Sequence, residues 1–506
     1  MARLRAFRWV AVALAAVWGG HAALAETPHG LALTGIIAEW HTNADGKDFK
    51  LVRGAIDNVM ESKGEFSIED GPALMTIYRV TLQPKYWKAA DALHTSLLER
   101  VKNGEPLSPE QTYSGALFLS LYSATVHEDF AATSDLLSTH AISAKTKSKS
   151  ADAWKMAAIV DSLEMMSIMS PQRDGFLGEL KRMAVEKQSA LNDPIASRVR
   201  DYAVLKAVRL GYLPKSYQAA TLKAAKSLHG AAVDAKGQDM TEAAAAMMLS
   251  SELDQAGTAL LAQDKVVAMD AWFNSQRRKD PHGNEALFHY KWDDDADSGF
   301  SFFGRAFRRY GAKLTEVVDE PTYEHLKNAS VYFIVSPDIP AKNPDPHYVN
   351  AKDVEAITKW VSDGGVLIMM MNDVHNTEFV HTNMLSERFG IHFNPVIKNT
   401  VEGNKWEQAK VEIPATTGVF ENAHTAYMKE VCTIAVQEPA KAVLRDHLHT
   451  EGEIFIAEAK YGKGRVLAIV DPWLYNEYTD GKKLPVEYDQ FAAAKDLARW
   501  ALSVAK

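Results

Sequence analysis

Cysteine is almost absent from this chain, with one residue, Cys432, in 506. An internal disulfide and a thiolate metal cluster are thereby excluded. Cys432 sits in the strand-like run Glu430-Val431-Cys432-Thr433-Ile434-Ala435-Val436 and reads as a buried structural residue. No basic stripe is visible and the net charge is −9, so nucleic acid is not expected as a partner. No strict short-period repeat appears, which argues against a TPR-like solenoid. The turn Tyr461-Gly462-Lys463-Gly464 lacks the frame of a phosphate-binding loop and reads as a hairpin. No motif calls for a cofactor. Beyond the N-terminus no segment is long and apolar enough to span a membrane.

What is present is an ordinary globular composition, 47% hydrophobic and 24% charged, able to bury substantial cores. Arg3, Arg5 and Arg8 precede an apolar run from Trp9 to Trp18, and Ala23-Leu24-Ala25 then offers a small-x-small cleavage site. Residues 1–25 are therefore expected to be a secretory signal peptide, and the protein periplasmic or secreted. The alternative is a membrane anchor, but the run is shorter than the roughly 20 residues a span needs.

From Asp48 to Ser275 the pattern is nearly all helical, in about ten or eleven amphipathic stretches punctuated by Gly or Pro. They include Phe49–Ser62, Pro72–Leu82, Tyr86–Val101, Pro109–Ala124, Ala153–Met169, Phe176–Lys187, Ile195–Leu210, Ser216–Leu228, Glu242–Leu253 and Lys265–Phe273. Such hairpins suggest a toroid or an irregular helical array. Residues 275–285 have linker composition. After them the pattern changes. Continuous apolar strands at Ser330–Val335 and Gly365–Met371 alternate with helices, and a hairpin runs over Ile454–Lys460 and Arg465–Val470. The expected organisation is a helical domain over 26–274, a linker over 275–285, and over 286–506 a doubly wound, flavodoxin-like α/β domain with antiparallel additions.

In doubly wound sheets ligands bind at the carboxyl ends of the strands. Three such ends carry polar clusters. His289, Trp292 and Asp294 lie in the first, Asn372, Asp373 and His381 in the second, and Asp471, Trp473, Tyr475, Asn476 and Tyr478 in the third. Amides and carboxylates that hydrogen-bond hydroxyls, beside aromatic faces, suit a sugar. Asp294, Asp373 and Asp471 are expected to converge. The plainer alternative is that these side chains cap helices, turn loops and bridge the domains. Asp294, Asp373, His381 and Asp471 could also be metal ligands, though their spacing matches no metal motif. Where a nucleophile elbow would follow the strand Gly365–Met371, the chain reads Asn372-Asp373, so a Ser or Cys mechanism is not expected.

The stretches FHYKWDDDADSGFSFFGRAFRRYGAKL (288–314), GGVLIMMMNDVHNTEFVHTNMLSERFGIHFN (364–394), AKYGKGRVLAIVDP (459–472) and DPWLYNEYTDGKKLP (471–485) resemble two-domain unsaturated rhamnogalacturonyl hydrolases. These are of the glycoside hydrolase family 88/105 type, fused to a class I glutamine-amidotransferase-like domain. Arg198 through Pro214, and Leu107-Ser108 through Tyr122, are similar to helix pairs of that family's α/α toroid. The resemblance implies action on pectin-derived oligosaccharides, by hydration of an unsaturated uronic acid with an Asp as general acid and base. The chain departs from the pattern. Trp154-Lys155-Met156-Ala157 matches the family's W-x-D-G segment with Met in place of Asp, while Asp161 lies about one helical turn further on. The W-x-R-x-x-G-W segment has no counterpart, and the helical half is short, so the ring would be reduced or open. Two readings follow: an active hydrolase with rearranged residues, or an inactive homologue that binds sugar or a protein partner.

Overall fold

The computed structural model describes residues 28–139, 149–186, 193–229, 240–446 and 452–506. The expected signal peptide lies outside them. Eleven helices come first: α1 (Leu31–Asn43), α2 (Gly46–Glu61), α3 (Gly71–Thr81), α4 (Pro84–Lys102), α5 (Pro109–Val126), α6 (Ala131–Thr139), α7 (Lys149–Met165), α8 (Arg173–Glu186), α9 (Pro194–Arg209), α10 (Ser216–His229) and α11 (Met240–Gln255).

The odd-numbered helices contact one another in succession, and α11 packs against α1, so the series returns on itself. The even-numbered helices lie against them from outside. Burial follows this arrangement. Helix α4 buries a single stripe, Tyr86, Ala90, Leu93 and Leu97, at the spacing of one helical face. Helix α3 buries every residue from Gly71 to Tyr78. Small residues let the ring close. A Cβ on Gly35 of α1 would stand 3.0 Å from Cα of Ala244 on α11. Residues Ala243, Ala244 and Ala245 of α11 are all buried.

The second half contributes β1 (Val266–Asp270), β2 (Arg277–Lys279), β3 (Glu285–Leu287), α12 (Ser301–Arg308), β4 (Lys313–Val317), α13 (Tyr323–Leu326), β5 (Val331–Val335), α14 (Ala351–Ser362), β6 (Val366–Met370), α15 (Val380–Ser386), β7 (Ile391–Lys398), β8 (Lys410–Ile413), β9 (His424–Tyr427), β10 (Val431–Val436), β11 (Ala440–Arg445), β12 (Ile454–Tyr461), β13 (Gly464–Ile469), α16 (Asn476–Thr479) and α17 (Gln490–Val504). The main sheet has the order β4-β1-β5-β6-β13-β12-β10-β7, with β11 beside β12. Strands β4, β1, β5, β6 and β13 are parallel. Strands β12, β10, β7 and β11 run antiparallel to their neighbours. The molecule is thus a helical N-terminal half joined to a mixed sheet.

The stretch Lys265–Phe273, expected as a helix, forms β1 and pairs with β4 and β5. A short apolar run looks the same in either state by periodicity, and here pairing on both sides decides for strand. Residues of the expected linker supply the first arm of the β2–β3 hairpin, in which Arg278 pairs with Ala286. Tyr461-Gly462-Lys463-Gly464 does close a hairpin, between β12 and β13.

The two halves share a continuous hydrophobic core. Trp40 Nε1 donates to the carbonyl of Asp480 over 2.8 Å. A Cβ on Gly46 would overlap the carbonyl of Gly481. Arg79 of α3 holds Asp295 at 2.7 Å, Arg308 of α12 holds Glu164 of α7 at 2.9 Å, and Arg309 holds Asp254 at 2.8 Å.

Candidate functional site

The inner helices surround a cavity of about 120 Å³. That is several times what one water needs. Its charged lining comes from single helix faces. Helix α7 presents Asp161 and Glu164, helix α9 presents Tyr202, Lys206 and Arg209, and α11 presents Glu252. These spacings of three, four and seven put the groups on one side of each helix. Residues Asp295, Arg305 and Arg308 of the α/β half also line it, so both halves form its wall.

Asp161 receives three donors: Tyr113 Oη at 2.8 Å, Tyr202 Oη at 2.7 Å and Lys206 Nζ at 2.7 Å. Lys206 also reaches Glu164 at 2.7 Å. Burial opposes the charge on Glu164, yet Lys206, Arg308, Arg305 and Arg209 hold its carboxyl well below the usual range. Burial likewise opposes the charge on Lys206, and Asp161 and Glu164 outweigh it and raise its pKa. Burial first, and then the Asp161 charge, push the Tyr113 and Tyr202 phenols well up, so both stay protonated. Arg209 clasps Glu252 with two bonds, of 2.8 and 2.5 Å. Desolvating this many charges is costly, and only their mutual pairing offsets it.

Arg305 differs from the other cations on this wall. Its Nη2 stands 3.2 Å from Nε2 of His41, and its guanidinium lies over the Phe302 ring. Among the described residues its buried Nε–H has no hydrogen-bond partner. Burial, and then the Arg305 charge, hold His41 well below its ordinary value. The imidazole is therefore neutral and its Nε2 accepts. The nearby Asp295 is taken by Arg79, with a 2.7 Å bond from Nε. A buried donor left unsatisfied within the protein is uncommon, and a ligand acceptor is one partner that would satisfy it.

The residues singled out from the sequence fall in several places. Trp292 is core, packed on Phe300, Phe303, Phe307 and Phe333. Trp473 is fully buried beside Phe420. Asn476 is a structural clasp: its amide donates to the carbonyls of Asp294 and Ala296 and accepts from the Phe302 N–H. His381 is paired with Glu378 at 3.1 Å and stacked on Tyr348.

Asp294 pairs with Arg278 at 2.8 Å and lines a cleft with Tyr78, Arg79 and Thr125. The charge of Asp373 is felt at Asp471. Burial, followed by the charges of Glu430 and Asp373, raises Asp471 well above the carboxylate range despite Lys429. Asn372 donates to Tyr290 Oη over 3.5 Å, and Tyr290 meets Tyr475, which meets Tyr478. His289 is stacked on Tyr290, and burial with nearby Lys342, Lys291 and Arg278 lowers it to about 3. Of all these residues, only Asp294 lines either the ring cavity or the cleft beside Arg79.

Asp294, Asp373, His381 and Asp471 supply no metal site, since among the described residues no three His, Cys, Asp or Glu side chains are grouped to hold an ion. Cys432 is buried, and that burial pushes its thiol well up. In the helical half, Trp154 and Met156 are core, while Lys155 pairs with Glu179 at 2.9 Å. Asp161, one turn further on, is the side chain that reaches the cavity. Glu164, Lys206, Arg209, Glu252, His41 and Arg305 carry no recognisable motif in the sequence. Their signal was charge recurring on one face of otherwise buried helices.

No family model matches the chain, and no curated protein does. Among solved structures it is similar to the N-terminal domain of mmIFT52, with 16% identity, 47% of this chain and 97% of that chain covered, and a TM-score of 0.36. It is also similar to a glycoside hydrolase from family 105 of C. acetobutylicum ATCC 824, with 17% identity, 46% and 94% covered, and a TM-score of 0.35. A possible member of the same family from Salmonella enterica serovar Paratyphi A gives 13% identity, 44% and 81% covered, and a TM-score of 0.35. These likenesses are weak, and no property of those proteins passes to this chain through them.

Proposed function

We propose that this protein binds an acidic saccharide in the cavity of its helical half, holding the sugar's carboxylate on Arg305, and does not hydrolyse it. The observation that carries this reading is Arg305, whose Nε–H is buried without a partner among the described residues, on a wall where Lys206, Arg209 and Arg308 each have a carboxylate. A carboxylate accepts well from a guanidinium. Hydroxyls of Thr34, Thr42 and Ser251 and the amide of Gln255 offer further bonds to a polyol.

The resemblance to unsaturated rhamnogalacturonyl hydrolases makes a pectin-derived uronic acid the first ligand to try. Hydrolysis would need a carboxyl able to donate a proton. Asp161, Glu164, Glu252 and Asp295 are each engaged by Lys or Arg, which favours binding without turnover. The return of α11 onto α1 supports a toroid-like helical half. The parallel order β4-β1-β5-β6-β13 supports a flavodoxin-like second half. That half is read as amidotransferase-like without the nucleophile. Export to the periplasm or outside is part of this reading and rests on residues 1–25. Cell fractionation tests it, and retention of the full-length chain in the cytoplasm would refute it.

The central test incubates the purified chain with unsaturated rhamnogalacturonan disaccharide. The ultraviolet absorbance of the conjugated double bond follows turnover, and calorimetry follows binding. Heat of binding without loss of absorbance is expected. Steady loss of absorbance would establish the hydrolase instead, and no binding heat would overturn the ligand assignment.

A further inference from the structure

A second cleft opens at the sheet's carboxyl edge, where the strand order reverses. From β1 the parallel strands run one way to β4 and the other way to β5 and β6. Ligands of open α/β sheets bind at such switch points, because the loops leaving the two central strands diverge there. The loops after β1, β4 and β5 enclose about 540 Å³ at this place. That is within the range of small-molecule sites.

The walls are braced from below. The fully buried Asp338 accepts from the Ser275 N–H at 2.9 Å, Gln276 Nε2 at 2.7 Å and Asn343 Nδ2 at 2.9 Å, which ties the loop after β1 to the loop after β5. Asp270 caps the turn at the end of β1 by accepting from the N–H groups of Phe273 and Asn274. Behind the lining, His289 meets Gln276 at 3.2 Å and the Ser336 carbonyl accepts from Asn274 at 2.9 Å, and both residues hold a positive φ, of 68° and 43°. Such backbone persists only where the surroundings hold it, and it gathers at ligand sites.

The lining gives the ligand's character. The rings of Trp272 and His347, both on the lining, stack face to face with centroids 3.5 Å apart and planes 1° from parallel, a rigid pair with only its outer faces open to a ligand. His347 Nδ1 faces the carbonyl of Trp272 at 3.0 Å, which leaves Nε2 as an acceptor. Lys342 donates to the carbonyl of Asn376 at 3.1 Å, its one hydrogen bond among the described residues, though an ammonium carries three donors. Burial lowers its pKa, as expected for a cation short of partners. Arg277 and Lys342 on the lining are matched by Glu285 and Asp345, so the cleft carries no excess of one charge.

We propose that this cleft is a second binding site, for a neutral saccharide ring that stacks on an outer face of the Trp272–His347 pair and hydrogen-bonds Lys342 and Ser275. It is separate from the ring cavity and does not depend on the acidic-sugar reading. The test screens the full-length chain against an array of neutral oligosaccharides and titrates the hits by calorimetry, in the wild type and in Trp272→Ala, Lys342→Met and Arg305→Gln. At least one neutral glycan is expected to bind, with affinity lowered tenfold or more by Trp272→Ala and by Lys342→Met and unchanged by Arg305→Gln. Thermal melts check folding, and Lys342→Met decides if Trp272→Ala does not fold. Binding of no neutral glycan would overturn the proposal, as would binding that Arg305→Gln abolishes while Lys342→Met preserves it.

Discussion

Arg305 and His41 meet across the junction of the two halves, with Nη2 3.2 Å from Nε2 although they stand 264 positions apart in the chain. The contact places a guanidinium from α12 against a neutral imidazole from α1, inside a wall of ion pairs. A bond to a charged group is worth roughly 1.5–3 kcal/mol, or about one to two orders of magnitude in affinity. Arg305→Gln is therefore expected to weaken an acidic saccharide by about ten- to a hundredfold in calorimetry. His41→Ala, which only loosens the guanidinium, should cost less. Equal affinity in wild type and Arg305→Gln would remove Arg305 as the anchor.

Lys206 lies between two carboxylates, with Asp161 and Glu164 each 2.7 Å away. Lys206→Met leaves both buried without their shared cation, at a cost of about 3–5 kcal/mol. The urea midpoint should fall accordingly, and adding Asp161→Asn should restore part of it. A midpoint within error of wild type would show that the network stabilises little.

Closure of the helical ring depends on Gly35. An alanine methyl there would stand 2.9 Å from Cε of Met247 and 3.0 Å from the Ala244 backbone. Gly35→Val is expected to destabilise by about 1–3 kcal/mol through overpacking. Gly54→Val, where the added carbon meets nothing within 4 Å, serves as the control. A lowered melting temperature in the first alone is the expected result.

His424 predicts how stability changes with pH. Burial alone would depress its pKa, but bonds to Asp489 at 2.7 Å and Asp496 at 3.1 Å outweigh burial and raise it from 6.5 to about 9. A raised folded pKa contributes stability that is complete below the unfolded value and is lost as pH climbs through the folded one. The denaturation midpoint should therefore decline between pH 6.5 and about 9. His424→Asn should flatten that decline, and an unchanged slope in the variant would rule the histidine out as its source.

Much of the α/β half could be read in advance, because β5 and β6 are unbroken apolar runs, VYFIV and VLIMM, buried at every residue. Strand β1 was hidden, since five residues bounded by charge say nothing of what lies on either side. Helix α1 was hidden for a different reason. It is buried nearly all round and lacks the one-sided stripe that betrays α4. At the candidate site the spacing of Asp161 with Glu164, and of Tyr202 with Lys206 and Arg209, is visible in the sequence. Their meeting with Arg305 is not, because it depends on how two distant segments dock.

The return of α11 onto α1 bears on the order in which the chain can be built as it emerges, N-terminus first. No ring exists until Gln255 has emerged, and Asp161, Glu164 and Lys206 stay open to water until Arg305 and Arg308 follow. A nascent chain halted between those points would carry an exposed, charged funnel, with Trp40 lacking the Asp480 carbonyl that later receives its indole. Completion of the pocket is thus a late event, and a truncated product would be easily distinguished by proteases from the finished protein.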